Sequence, residues 1–125
     1  GKIICVFGCG GDRDTAKRAM MGEVAGKLAG YTVITSDNPR SENPKEITKQ
    51  IEEGIKRTKG RYTVIVDRTN AIKSALEMCG KYDIVVLAGK GHETYQVLKD
   101  GKIHYDEREV IAKILKKMPI PEDNM

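Results

Sequence analysis

Aromatic residues are scarce: of 125 positions one is Phe, five are Tyr and none is Trp. Surfaces that bind nucleic acid usually set rings for stacking beside a basic stripe. Here the formal charge is only +4, and Lys and Arg are interleaved with Glu and Asp as on a solvated face. No nucleic-acid partner is expected, and the mild basic excess suits a small anionic substrate better. Long apolar runs are missing too. None approaches the roughly 20 residues of a membrane span, and Lys2-Ile3-Ile4-Cys5-Val6-Phe7 is too short for a signal peptide. No membrane partner is expected. The three cysteines, Cys5, Cys9 and Cys79, have no metal-ligand spacing, and an odd count argues against a disulfide framework. They read as small residues in or near the core of a cytoplasmic protein. Finally, no Gly-x-x-x-x-Gly-Lys-Ser/Thr run occurs, so the chain has no obvious means of holding ATP by itself.

What is present describes a folded domain. Hydrophobic residues make up 39% and charged residues 32%, and the length is that of a single domain. The chain enters a strand-like run almost at Gly1, as a piece cut from a longer protein would. Ile3 to Phe7, Thr32 to Thr35, Tyr62 to Val66 and Ile84 to Ala88 read as strands. Between them lie three helices. The first has Met21, Val24, Ala25 and Leu28 as its expected core face. The second starts at Pro44 and carries Ile47, Ile51 and Ile55, with Glu52–Lys56 and Glu53–Arg57 outside. The third is capped by Asp67 and buries Ile72, Ala75, Leu76 and Cys79. Tyr95 to Leu98 and Ile103 to Tyr105 then flank Lys99-Asp100-Gly101 as a hairpin. Asp106 and Glu109 resemble a capping box for a last helix bearing Val110, Ile111, Ile114 and Leu115, which Met118-Pro119 ends. The alternation predicts an α/β, Rossmann-like fold: a mostly parallel sheet, helices on both faces, and the hairpin as an antiparallel edge. The domain is expected over 1–118, with 119–125 as a tail.

Ligands of such sheets bind outside the carboxyl ends of the strands. Four unusual loops fall there: Gly8-Cys9-Gly10-Gly11-Asp12-Arg13-Asp14, Asp37-Asn38-Pro39-Arg40, Asp67-Arg68 and Gly89-Lys90-Gly91-His92-Glu93. Gly8-x-Gly10 starts a dinucleotide fingerprint, but Arg13 occupies the third glycine position. The glycines otherwise read as a turn that needs positive φ. Arg13, beside a helix start, suits a carboxylate or phosphate. Asp37, Asn38 and Arg40 offer an acceptor, an amide and a forked cation, which suit an amino acid. Gly89 and Gly91 let backbone approach a ligand, and Glu93 can receive an ammonium. His92 has no visible nucleophile or orienting partner and, like His104, reads as structural. No catalytic residue and no metal ligand is assigned.

These loops carry a resemblance. Val6 to Asp14 with Lys17-Arg18 and Met21-Gly22, then Ser36-Asp37-Asn38-Pro39-Arg40, then Ala88-Gly89-Lys90-Gly91-His92-Glu93, resemble in order three motifs of the Mur ligases that extend the cell-wall precursor peptide. The resemblance runs from the first strand through the last helix. It implies the third, amino-acid-binding domain of an ATP-dependent amide ligase of peptidoglycan synthesis. The UDP-substrate and central ATP-binding domains, with ATP and Mg2+, lie outside this chain, and the isolated domain is expected to be inactive and to hold no cofactor. It further implies that Arg13, Asn38 and Arg40, with Asp37 in the same motif, hold the distal carboxylate of meso-diaminopimelate, and that Gly89 and Glu93 hold its far ammonium. The acceptor would be UDP-MurNAc-L-Ala-D-Glu. Lys17 and Arg18 would serve ATP or substrate from across the domain gap. The chain departs from the pattern at Thr15-Ala16, where Lys-Gly is more usual, and at Asn70. Two other readings of the residues stand beside this one: a nucleotide-cofactor domain, and a stand-alone binding module.

Overall fold

The computed structural model describes residues 1–89, 93 and 95–117. Its elements run β1 (Ile3–Phe7), α1 (Ala16–Leu28), β2 (Tyr31–Ile34), α2 (Pro44–Ile55), β3 (Tyr62–Val64), α3 (Arg68–Met78), β4 (Ile84–Leu87), β5 (Tyr95–Leu98), β6 (Gly101–His104) and α4 (Glu107–Lys117). Four strands form a parallel sheet in the order β3-β2-β1-β4. Right-handed crossovers dictate where the helices go. Stepping from β1 to β2 to β3 puts α1 and α2 on one face; the return to β4 puts α3 on the other. Two apolar clusters follow. Phe7 and Ile34 pack with Ile47, Ile51 and Ile55 of α2 on the first face. Ile4, Val6 and Val33 pack with Ala71, Ile72, Ala75 and Ile114 on the second. Each fully buried isoleucine contributes about 1.5–3 kcal/mol, so the α2 stripe outweighs the roughly 1 kcal/mol cost of Gly54 in a helix.

The expected cap forms for α3, and α2 has one at Asn43. Asn43 Oδ1 accepts from Lys45 N at 2.9 Å, and Asp67 Oδ2 accepts from Asn70 N at 3.3 Å. The capping box before α4 forms only in half. Asp106 Oδ1 accepts from Arg108 N at 3.0 Å, whereas the Glu109 carboxylate turns to His104 Nε2 at 3.0 Å.

Two expectations are corrected. First, Met21, Val24 and Leu28 of α1 are exposed at 42%, 50% and 77%. The face that α1 buries is Arg18 and Gly22, because small residues let it approach α2 closely: a Cβ on Gly22 would stand 2.1 Å from Ile51 O, and one on Gly54 1.7 Å from Ala19 O. Second, the hairpin is no edge of the main sheet. β5 and β6 form a two-stranded sheet of their own, with Gly101 inside β6. The loop after β2 holds it there: Asn38 Oδ1 accepts from Val97 N at 2.9 Å, and Arg40 N donates to Val97 O at 3.2 Å. Met118 and the tail lie outside the described residues.

Candidate functional site

The loops after β1 and β2 are built as one body. Gly11 N donates to Asn38 O at 2.8 Å, and Arg40 Nη1 donates to Gly11 O at 2.9 Å and to Asn38 O at 3.3 Å. A Cβ on Gly11 would lie 1.8 Å from Pro39 O, and one on Gly8 2.3 Å from Thr35 O. These glycines are therefore required by backbone approach, not by positive φ. The left-handed conformations fall instead on Asp12 (φ 54) and Arg40 (φ 51). Such a conformation costs a side-chain-bearing residue about 1–2 kcal/mol. Asp12 offsets it with bonds from Ser41 Oγ at 2.6 Å and Ser41 N at 3.3 Å, and by donating its own N–H to Glu42 Oε2 at 2.6 Å. Of the two fingerprint glycines, Gly8 has its bare face filled by backbone of 35–37, and Gly10 has its own against the side chains of Arg40 and Arg13.

Arg18 locks this body to the helices. It is 1% exposed, and its Nη2 donates to Gly10 O at 2.9 Å and Glu42 Oε2 at 2.8 Å. Its Nη1 donates to Glu42 Oε1 and to Gln50 Oε1, each at 3.0 Å. The guanidinium, with the Asp12 N–H adding to it, holds the Glu42 carboxyl down at about 2. Arg18 is thus a strut inside the domain, which corrects its expected place at ATP or substrate. Lys17 beside it is exposed.

The expected site residues gather in two groups. Arg13 is exposed, and its Cγ lies 3.6 Å from where a Gly10 Cβ would stand; Arg40 Nη1 lies 2.8 Å from the same point. Two arginine side chains therefore crowd the Cα of Gly10, beside the buried Asn38. Asp37 and Gly89 make the second group: Asp37 Oδ2 lies 3.2 Å from the place of a Gly89 Cβ, and Gly89 has φ 110. Any side chain at 89 would be strained and would crowd that carboxylate. Glu93 is half-buried. Lys90, Gly91 and His92 lie outside the described residues. A pair of arginines at one end suits a carboxylate, and an acid with a nearby carbonyl at the other suits an ammonium. Burial pushes the Cys9 thiol up to about 11, against Arg18 and helped by Asp37, which disfavours its thiolate at neutral pH.

Sequence reasoning placed Arg68 in one of the four loops but gave it no role, and it missed Glu107. Arg68 is 1% exposed and Glu107 is 4% exposed. Arg68 Nε donates to Glu107 Oε2, Nη1 to Ser36 O at 3.0 Å, and Nη2 to Ala88 O at 3.4 Å. The only signal was an arginine at a strand end directly after a capping aspartate.

An apolar cleft of about 420 Å³ runs from Gly8 and Gly89 along Phe7, Met21, Val24 and Val86. Its lining does not fit a charged amino acid, so the polar loops are the better candidate. Among the described residues no three His, Cys, Asp or Glu side chains gather as metal ligands, and no helix is long and apolar enough to cross a membrane. The sequence also has no Gly-x-x-x-x-Gly-Lys-Ser/Thr run.

Comparison with known proteins places this geometry. The family profile described as "Mur ligase, glutamate ligase domain" matches residues 1–91. The chain is 61% identical over 115 residues to the UDP-N-acetylmuramoyl-L-alanyl-D-glutamate–2,6-diaminopimelate ligase of Caldanaerobacter subterraneus subsp. tengcongensis, which covers 92% of this chain and 24% of that protein. It is 54% identical over 118 residues to the ligase 1 of the same name in Clostridium acetobutylicum, covering 94% of this chain and 24% of that protein. A solved structure of a UDP-N-acetylmuramoyl-L-alanyl-D-glutamate–2,6-diaminopimelate ligase superposes with a TM-score of 0.87 at 40% identity, over 93% of this chain and 24% of that one. The chain spans about a quarter of the length of the curated relatives it matches.

Proposed function

The chain belongs to the Mur ligase family, and on that premise we propose that it is the domain of a cytoplasmic, ATP-dependent ligase that holds meso-diaminopimelate for addition to UDP-MurNAc-L-Ala-D-Glu. The observation that carries this reading is that the side chains of Arg13 and Arg40 come together beside Gly10. Meso-diaminopimelate differs from lysine by one carboxylate. Here that group takes the two guanidinium groups and the amide of Asn38. The ammonium beside it takes the Gly89 carbonyl and Glu93, with Asp37 close by. Lysine would leave the arginines without their anion, and a charge-assisted bond lost in this way costs about 1.5–3 kcal/mol.

The rest of the reaction belongs to the parts of the ligase beyond this chain. There ATP and Mg2+ would supply the activation of the substrate carboxylate that lets the amine held by this domain form the amide. This domain's own work is to fix the amine and to reject amino acids without the distal carboxylate. In the intact ligase, Arg40→Ala is expected to lower kcat/KM for meso-diaminopimelate by about 10- to 150-fold while leaving the circular dichroism of the fold in place. Wild-type addition by that variant would sink the assignment.

A further inference from the structure

We propose that Arg68 is a positioning residue for the amino-acid site, and that Glu107 is the counter-charge that lets it be buried. The inference rests on the loops after β2 and β4 being that site. Taking a guanidinium out of water is costly, and well-packed apolar residues often replace a buried ion pair without loss of stability. Stability alone therefore gives little reason for an arginine here. Its geometry gives a better one. β2 and β4 lie on either side of β1. Arg68 reaches across from α3 and bonds the carbonyls of Ser36 and Ala88, one from each of those strand ends. The residues that follow are Asp37 and Gly89, which lie against each other: Asp37 Oδ2 stands 3.2 Å from where a Gly89 Cβ would be. One planar fork thus sets the spacing of the two segments that would grip the ammonium end. Its third arm, through Glu107, ties the same point to α4. Gln96 Nε2 donates to Ser36 Oγ at 3.5 Å and brings the hairpin to the same strand end. A lysine carries its donors on one nitrogen and could not span acceptors that Arg68 meets with three.

The test compares three forms of the intact ligase: wild type, Arg68→Lys, and the apolar pair Arg68→Met with Glu107→Leu. Melting temperature and the KM values for meso-diaminopimelate, ATP and the UDP-linked acceptor are measured for each. The apolar pair is expected to melt within about 2 °C of wild type. Its KM for meso-diaminopimelate should nevertheless rise about tenfold or more, with the other two KM values within about twofold. A pair that restores both the melting temperature and the diaminopimelate KM would show that Arg68 only fills space, and would overturn the proposal. If the pair does not fold, Arg68→Lys decides by the same split: a selective rise in diaminopimelate KM supports positioning, and an unchanged KM refutes it. Arg40→Ala run alongside separates the two readings. A normal diaminopimelate KM in Arg40→Ala refutes the site itself, whereas a raised one with normal Arg68 variants refutes only the role of Arg68.

Discussion

Two arginines in this domain meet almost no solvent, and each joins loops to helices. For Arg18 the partner is Glu42, which its guanidinium draws down from 4.5 to about 2. A carboxylate whose folded value is depressed stabilises the fold fully above its unfolded value. That contribution disappears as pH falls through the folded value. We expect stability to drop between about pH 4.5 and 2, and Glu42→Gln to flatten that part of the acid slope in urea unfolding followed against pH. An unchanged slope would refute the depression of Glu42 in the folded protein. The same surroundings quiet Cys9, whose thiol stands at about 11. At pH 8 it should react with a disulfide reagent far more slowly than a free thiol does, as timed thiol labelling would show. At this scale the sequence was legible where a residue's task is local, as with Asp67 capping α3. It was silent where the partner is distant. Asn38 bonds a backbone group 59 positions away, and Arg68 meets Glu107 39 positions on. Neither spacing leaves a pattern in the chain.

Among the elements, α1 and α2 show what periodicity can mislead. Large apolar side chains at helical spacing pointed to Met21, Val24 and Leu28 as the buried face of α1. The helix instead turns Arg18 and Gly22 inward and approaches α2 at a distance only glycine permits. A glycine in mid-helix ordinarily gains about 1 kcal/mol on change to alanine. Here the sign should reverse. Gly54→Ala would put a methyl group on Ala19 O and is expected to destabilise by about 1–3 kcal/mol, read from the denaturation midpoint. A stabilised variant would show that the two helices can part at no cost. α2 was legible throughout, because its core stripe is also its only apolar stripe. The hairpin was legible as a pair of strands but not in its placement, since the segment that seats it, Asn38 to Arg40, had been read for binding alone.

For the molecule as a whole, alternation of strands and helices sufficed to give a parallel sheet with loops converging at one edge, and the structure brings the loops after β1 and β2 together with Arg68 and Gly89. Strand order was not legible, since it depends on which crossover turns back. Nor was the uneven cover of the sheet. Met20, Val24 and Leu28 stay exposed at 61%, 50% and 77%, with Ile84 and Val86 of β4 at 61% and 41%. Contiguous apolar surface of this kind binds hydrophobic dyes and promotes association. The 125-residue chain is expected to bind such a dye and to self-associate as its concentration rises in analytical ultracentrifugation. Val24→Lys with Leu28→Glu should abolish both and shift the melting temperature by less than about 2 °C. A chain that is monomeric and dark at high concentration would mean that the strip is too broken to act as one patch.

The interlocked loops after β1 and β2 bear on how such a pocket could be re-engineered. Pro39 O fills the space a side chain at 11 would need, Arg40 bonds Gly11, and Asp12 and Ser41 hold each other. A recognition segment transplanted alone, 36–42 from a ligase that chooses another amino acid, would arrive without the glycine turn moulded to its backbone. The exchangeable unit is the two loops together, so a chimera that swaps 8–14 with 36–42 should inherit the donor's choice where a single-loop chimera fails.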